Sequence, residues 1–408
     1  MTDFSTDPRD DRIQGEYRGE GGKAFWLVFL TGFLTIITLG IYRFWAKTRI
    51  RRYLWSSTAP GGDPFEYTGT GLEKLLGFLV AIVVLAVYLG VLQLVLFAAG
   101  LSFLSGLETM DEVALLLAVY IPLIALMPLV FYAQYRGRRY MLSRTRWRGV
   151  RFAAEKGAFG YMFRALGYYI LAALTLGILT PLATFKLEKY RIDRTWYGDA
   201  KFVQGGRWTM LYKAMLHIFI AIAMFVLAIA LMVNGTELLG AVLMFVAYIW
   251  FFFGSIYYNV HAHRILAATK VLGETIRFQS LPRTGNIIGT YILGSIAVAL
   301  IMTIAAIPLG GILIGMLGGM DALVSGDFAS DPTAMFAVGI IAILAYVAFF
   351  LLAGALSMVF ITQPILRHYV EETAALNTAE LNTIRQRAGD DQMDAEGFAD
   401  ALDIGAAF

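Results

Sequence analysis

Long apolar runs alternate with short polar links along most of this chain. The runs fall at 24–42, 73–99, 113–133, 165–185, 214–233, 238–258, 287–317 and 333–364. A helix needs about 20 mostly apolar residues to cross a bilayer, so the runs predict membrane helices. The period-two alternation of a transmembrane barrel is absent from them. The links are of two kinds. Those carrying Glu108, Asp111 and Glu112, then Glu237, then Asp321, Asp327 and Asp331 are acidic, and the rest are basic. Lysine and arginine are missing altogether from 75–135, 214–263 and 284–366. Cytoplasmic flanks of membrane spans are enriched in these residues, which puts the basic links and both termini in the cytoplasm and the acidic links outside.

Six runs pair into out-and-back crossings under this rule. The runs at 24–42 and 165–185 stand alone, with basic links on both sides. One crossing each would put a basic loop outside, so each is expected to turn back as a re-entrant or interfacial hairpin, over 24–46 and 165–185. A backbone break there must be protected by protein, and Gly40, or Gly177 with Pro181, supplies the break. The expected organisation is a cytoplasmic segment 1–23, a transmembrane domain 24–372 and an acidic cytoplasmic tail 373–408.

The two odd runs also match each other: TLGIYRFWAKTRIRRY at 38–53 aligns without gaps to TLGILTPLATFKLEKY at 175–190. Downstream of each comes a threonine, a glycine and a phenylalanine. The pattern occurs four times, as Thr58–Gly62–Phe65, Thr145–Gly149–Phe152, Thr195–Gly198–Phe202 and Thr269–Gly273–Phe278. Short β-prone runs around a glycine read as a tight hairpin in which glycine supplies positive φ. The expected fold is therefore all-α and polytopic, with internal repeats and small cytoplasmic β-hairpins. Tyr53, Trp55, Tyr140, Trp147 and Trp196 beside the basic residues suit a headgroup belt.

Composition sharpens this picture. The chain is 58% hydrophobic and 15% charged, against about 25% charged for soluble domains, so lipid is its natural exterior solvent. A net charge of +3 gives no reason to expect nucleic acid. The absence of cysteine removes disulfides and thiolate metal sites.

The stretches TLGIYRFWAKTRIRRYLW, GDPFEYTGTG and EGFADALDIG resemble the YjgN-like family of bacterial inner-membrane proteins. The resemblance implies a multi-pass protein of the bacterial inner membrane. That family's function is unknown, and it offers no catalytic, cofactor or metal residues to carry over.

Candidate functional residues are few. Gly311, Gly315 and Gly319 form a small-residue stripe that suits close helix packing, and Pro308 beside them could break the helix to line a pore. His217 is an ionisable side chain within an apolar run. His261 and His263 flank Ala262, a spacing poorly suited to one metal on a helix. Arg49, Arg51, Arg52, Arg138, Arg139, Lys189 and Arg191 are candidates for binding anionic lipid. No carboxylate sits well inside a run and no catalytic constellation or cofactor motif is present, so an enzyme is not expected. Two functions follow: a channel or facilitator for a small or apolar solute, or a scaffold whose basic face binds lipid or a partner. Self-association is left open. The tail, with Asp394, Glu396, Asp400 and Asp403 around Phe398, Leu402 and Ile404, is read either as disordered or as docking on the basic face.

Overall fold

The computed structural model describes residues 11–101, 112–316 and 332–387. Helices come in antiparallel pairs. They are α1 (Gly21–Ile37) with α2 (Arg43–Ser57), α3 (Gly71–Ala98) with α4 (Glu112–Ser143), and α5 (Ala158–Leu174) with α6 (Thr180–Ile192). Then come α7 (Leu216–Val233) with α8 (Glu237–Ala268), and α9 (Thr284–Met316) with α10 (Pro332–Ser357). A π-turn, Met358–Thr362, continues α10 into α11 (Gln363–Glu371). Among the described residues, six helices are long and apolar enough to cross a membrane. Their apolar side chains point outward: Val83, Phe245 and Leu293 are each more than 60% exposed, as lipid rather than water would permit.

The runs expected to turn back do so. In the first, Thr38 Oγ1 donates to Leu34 O at 2.8 Å and accepts from Tyr42 N at 2.9 Å. One threonine thus closes α1 and holds the backbone amide of Tyr42, the residue that precedes α2. Leu39 and Gly40 between them hold φ of 51° and 92°. The second copy repeats this, with Thr175 Oγ1 on Leu171 O and Leu179 N, and φ of 49° and 86° at Leu176 and Gly177. The TLGI motif is a helix–turn–helix signal. The hairpins run over 21–57 and 158–192, longer than the sequence bounds, because their returning helices are basic and do not read as apolar. Leu39 is 94% exposed at its tip and Leu176 80%. Gly177→Val forces a β-branched residue to positive φ and is expected to cost about 1–3 kcal/mol, measurable as a fall in denaturation midpoint in detergent; an unchanged midpoint would count against the turn.

The largest departure from expectation is the sheet. The β-hairpins are not separate ornaments on an all-α protein. Nine strands join edge to edge in one antiparallel sheet: β1 (Arg12–Gln14), β2 (Phe65–Tyr67), β3 (Thr145–Trp147), β4 (Val150–Ala154), β5 (Thr195–Tyr197), β6 (Ala200–Gln204), β7 (Lys270–Leu272), β8 (Ile276–Ser280) and β9 (Thr373–Leu376). Their order is β1-β9-β8-β7-β6-β5-β4-β3-β2. The sheet curls until its edges meet. Tyr17 bridges Thr58, Arg18 N donates to Ser57 O, and Phe65 N donates to Thr58 O at 3.0 Å. Closure of this kind removes exposed edges. β1 from segment 1–23 and β9 from segment 373–408 pair with each other from opposite ends of the chain.

At each of five junctions a threonine joins helix to strand. Thr58, Thr145, Thr195, Thr269 and Thr373 each donate Oγ1 to the carbonyl four residues back, on Leu54, Met141, Arg191, Ile265 and Tyr369, at 2.7–3.1 Å. That bond satisfies an orphan carbonyl at the helix end and releases the chain into the sheet.

Candidate binding site: the barrel lumen

Side chains alternate across a strand, so one face of the curled sheet points inward. The repeated phenylalanines lie on that face, each opposite an inward residue of the next strand. Phe65 pairs with Trp147, Phe152 with Tyr197, Phe202 with Leu272, and Phe278 with Ala375. Ring centroids are 4.7 Å apart for Phe152 and Tyr197, and 5.8 Å for Phe202 and Phe278. Between the repeated threonines and phenylalanines, Gly62, Gly149, Gly198 and Gly273 take the positive φ expected of hairpin turns. The three residues of the motif divide the work: threonine ends the helix, glycine turns the hairpin and phenylalanine faces inward.

The aromatics do not fill the barrel. They surround a cavity of about 360 Å³, near the lower end of the roughly 300–1,000 Å³ typical of ligand pockets. Its walls are the inward residues of β1 to β9. His263 of α8 and Tyr369 of α11 stand at the end nearer the helices. Residues 378–387 cross the other side. There Leu381 lines the cavity and Ile384, 9% exposed, packs with Trp147, Tyr197, Leu272 and Ile276. This strap is pinned by backbone bonds. Ala379 N donates to Asp11 Oδ1 at 2.8 Å, Arg385 N to Asp199 Oδ1 at 3.0 Å, and Arg151 N to Gln386 Oε1 at 2.8 Å. The acidic tail residues Asp394 to Asp403 lie outside the described residues.

Around the helix ends beside the barrel runs a ring of cations, most of them folded inward rather than presented to lipid. Arg51 is 5% exposed and donates to Tyr67 Oη. Arg138 donates to Thr195 Oγ1, Arg139 to Ala154 O, and Lys189 to Gln204 O at 2.7 Å. Arg191 pairs with Glu188 at 2.8 Å, and Lys270 approaches the other carboxylate oxygen at 3.8 Å. Burial alone would raise the Glu188 pKa; Arg191, Lys270 and Arg138 outweigh it and hold the carboxyl at about 2. Burial pushes the Lys270 ammonium down. Of the seven basic candidates, Arg49 and Arg52 are exposed. The aromatics expected in a headgroup belt each have a protein partner: Trp147 lines the lumen, Tyr140 bonds Glu73, Tyr53 bonds Glu20, Trp55 bonds Thr145 and Trp196 bonds Glu155, the last three side chains half-buried.

The remaining candidates lie apart from the lumen. His217 stands at the start of α7, edge-on to Tyr257 at 4.5 Å. α9 runs unbroken through Pro308. A Cβ added at Gly311 or Gly315 would meet nothing within 4 Å among the described residues; Gly319 lies outside them. Close approaches fall elsewhere. At Gly240 a Cβ would lie 2.9 Å from Ala228 O, and at Gly294 2.5 Å from Phe360 O. His261 stacks on Tyr257 at 3.8 Å. No spacing signal singled out His263 as a lumen residue, because its strand partners come from three distant segments.

A multi-spanning helical membrane protein that closes its helix ends with a β-barrel is the class these features define. The chain belongs to the family described as bacterial protein of unknown function (DUF898), whose model matches residues 12–307. It is similar to the inner membrane protein YjgN of Salmonella typhimurium, 32% identical over 39% of this chain and 36% of that one. The inner membrane protein YjgN of Escherichia coli O157:H7 is 29% identical over 42% of this chain and 38% of its own. The alignments thus span little more than a third of these relatives. No solved structure matches.

Proposed function

We propose that this is a facilitator of the bacterial inner membrane whose solute-holding element is the barrel lumen, facing the cytoplasm, and whose solute is small and apolar. One observation carries the reading: an aromatic-lined cavity of about 360 Å³ sits at the ends of helices that are themselves lipid-exposed. A channel through the helix layer finds less support. Two further hollows among the described residues are grooves, one along Val83, Val87 and Val91 of α3 and one between α9 and α11. An apolar solute needs no passage through hydrocarbon, because it dissolves there; it needs an acceptor outside it. The placement on the cytoplasmic side follows from the basic links. On this reading α1–α2 and α5–α6 dip into the membrane and return, which gives the exposed Leu39 and Leu176 tips an apolar surrounding. The five helix pairs with their threonine junctions are five copies of one unit.

The test is transfer of a fluorescent apolar probe from protein-bearing to protein-free vesicles. Wild type is expected to speed transfer several-fold. Ala375→Trp, which fills the lumen, is expected to abolish the gain while leaving the protein folded. No acceleration by wild type with any probe would return the protein to the scaffold reading. That reading keeps one specific observation, the exposed Arg49 and Arg52 in the middle of α2. It would be favoured if Arg49→Gln with Arg52→Gln stripped anionic lipid from the purified protein.

A further inference from the structure

The lumen is largely apolar. Beside His263 and the Tyr369 hydroxyl, its polar side chains are engaged with backbone carbonyls. Tyr197 Oη donates to Trp147 O, Trp147 Nε1 to Asp63 O, Thr58 Oγ1 to Leu54 O and Thr373 Oγ1 to Tyr369 O. His263 differs. Its Nε2 lies 3.1 Å from Ser280 Oγ, and no described residue bonds Nδ1. Its side chain keeps accessible surface although Tyr369 packs edge-on at 5.2 Å and β8 lies beside it. It is one of the residues that line the cavity.

The hydrogen-bond chain assigns the tautomer. Thr373 Oγ1 gives its proton to Tyr369 O at 2.7 Å, so in its 2.7 Å contact with Ser280 it accepts. Ser280 then spends its own proton on Thr373 and must accept from His263. Nε2 therefore carries the hydrogen, and Nδ1 of the neutral ring is left as an acceptor aimed at no protein donor. No Lys, Arg, Asp or Glu stands among the described lining residues, and Lys270 is committed to Glu188. An ionised ligand would be buried without a counter-charge, which is strongly unfavourable.

We infer that the lumen selects an uncharged, largely aromatic molecule carrying one hydrogen-bond donor, a hydroxyl or N–H, and that His263 Nδ1 is the acceptor that reads it. The inference rests on the lumen being the solute site, as proposed above. The chain has no cysteine, so Ala375→Cys places a single thiol in the lumen wall and Val203→Cys a control thiol on the barrel exterior. Protection from N-ethylmaleimide is measured for the full chain in detergent with 2-naphthol, 2-methoxynaphthalene, naphthalene and 2-naphthoate at equal free concentrations.

The expected result is protection of the thiol at 375 and not of that at 203. 2-Naphthol is expected to protect about three- to ten-fold better than its methyl ether, the value of one neutral hydrogen bond, and 2-naphthoate least. His263→Phe should erase the difference between naphthol and ether while naphthalene still protects. Equal protection by naphthol and ether in the wild-type lumen would overturn the donor inference and leave the lumen reading standing, as would naphthoate binding best. No protection by any of the four would overturn both.

Discussion

Glu188→Gln is expected to cost about 3–5 kcal/mol of stability, the range found when one partner of a buried ion pair is removed. Glu188 is 18% exposed and stands against Arg191 at 2.8 Å, with Lys270 beyond it. The amide would leave those cations with no carboxylate and their neighbours still basic. The same group fixes a pH response. Its carboxyl titrates at about 2 in the fold against 4.5 unperturbed, so the folded protein holds the charged form more tightly than the unfolded chain does. Its stabilisation is complete above about pH 4.5 and is lost as pH falls toward 2. The shift corresponds to about 3 kcal/mol. Chemical denaturation in detergent between pH 7 and 3 checks both statements: wild type should weaken over the acid limb, and Glu188→Gln should start lower and change less. A cost under about 1 kcal/mol at pH 7 would mean that Glu188 does not anchor the ring.

Much of the helix layer was legible because lipid imposes a simple code. Long apolar runs without cations became α3, α4, α7, α8, α9 and α10, and the charge conflict at the two odd runs correctly demanded a reversal. TLGI marked those reversals because a threonine that bonds both sides of the turn and two residues of positive φ are local chemistry. The hairpin turns were legible for the same reason, since Gly149 and Gly198 advertise positive φ in three or four residues.

The barrel was not legible, because pairing between hairpins is not local. Phe152 and Tyr197 meet across 45 positions, and nothing in either segment names the other. The fifth junction was hidden further. Thr373 is followed by no Gly–Phe pattern, and one of the two neighbours of its strand is Arg12–Gln14 at the opposite end of the chain. The arginines misled for a related reason. A basic helix end beside aromatics reads as a headgroup anchor, whereas Arg139 and Lys189 spend their charge on the carbonyls that end β4 and β6. Patterns that mark a membrane interface also mark the seam between helices and a barrel, and only the closed sheet separates them.

Gly198→Val should open the lumen by expelling the strap. A Cβ at Gly198 would lie 2.3 Å from Arg385 O and 2.8 Å from Val150 Cγ1, at a φ of 56° that a β-branched residue resists. The strap is held there by the Asp199 turn, beside the Arg151–Gln386 bond and the Arg387 contact with Trp196. Asp199 N donates to Arg385 O and Asp199 Oδ1 accepts from Arg385 N, so moving this turn breaks both bonds together. Leu381 and Ile384 would then lose their lumen contacts, leaving the bonds to Asp11 and Arg151 as tethers. The expected reading is a rise of about ten-fold or more in alkylation of the thiol from Ala375→Cys, equivalent to roughly 1.4 kcal/mol of lost closure. Hydrogen exchange at residues 379–387 should quicken alongside. A chain ending at Leu376 keeps β9 and should reach the same alkylation rate. If that rate stays at the wild-type value in both variants, solute reaches the lumen from the helix side past His263, and the strap is a structural seal rather than the gate.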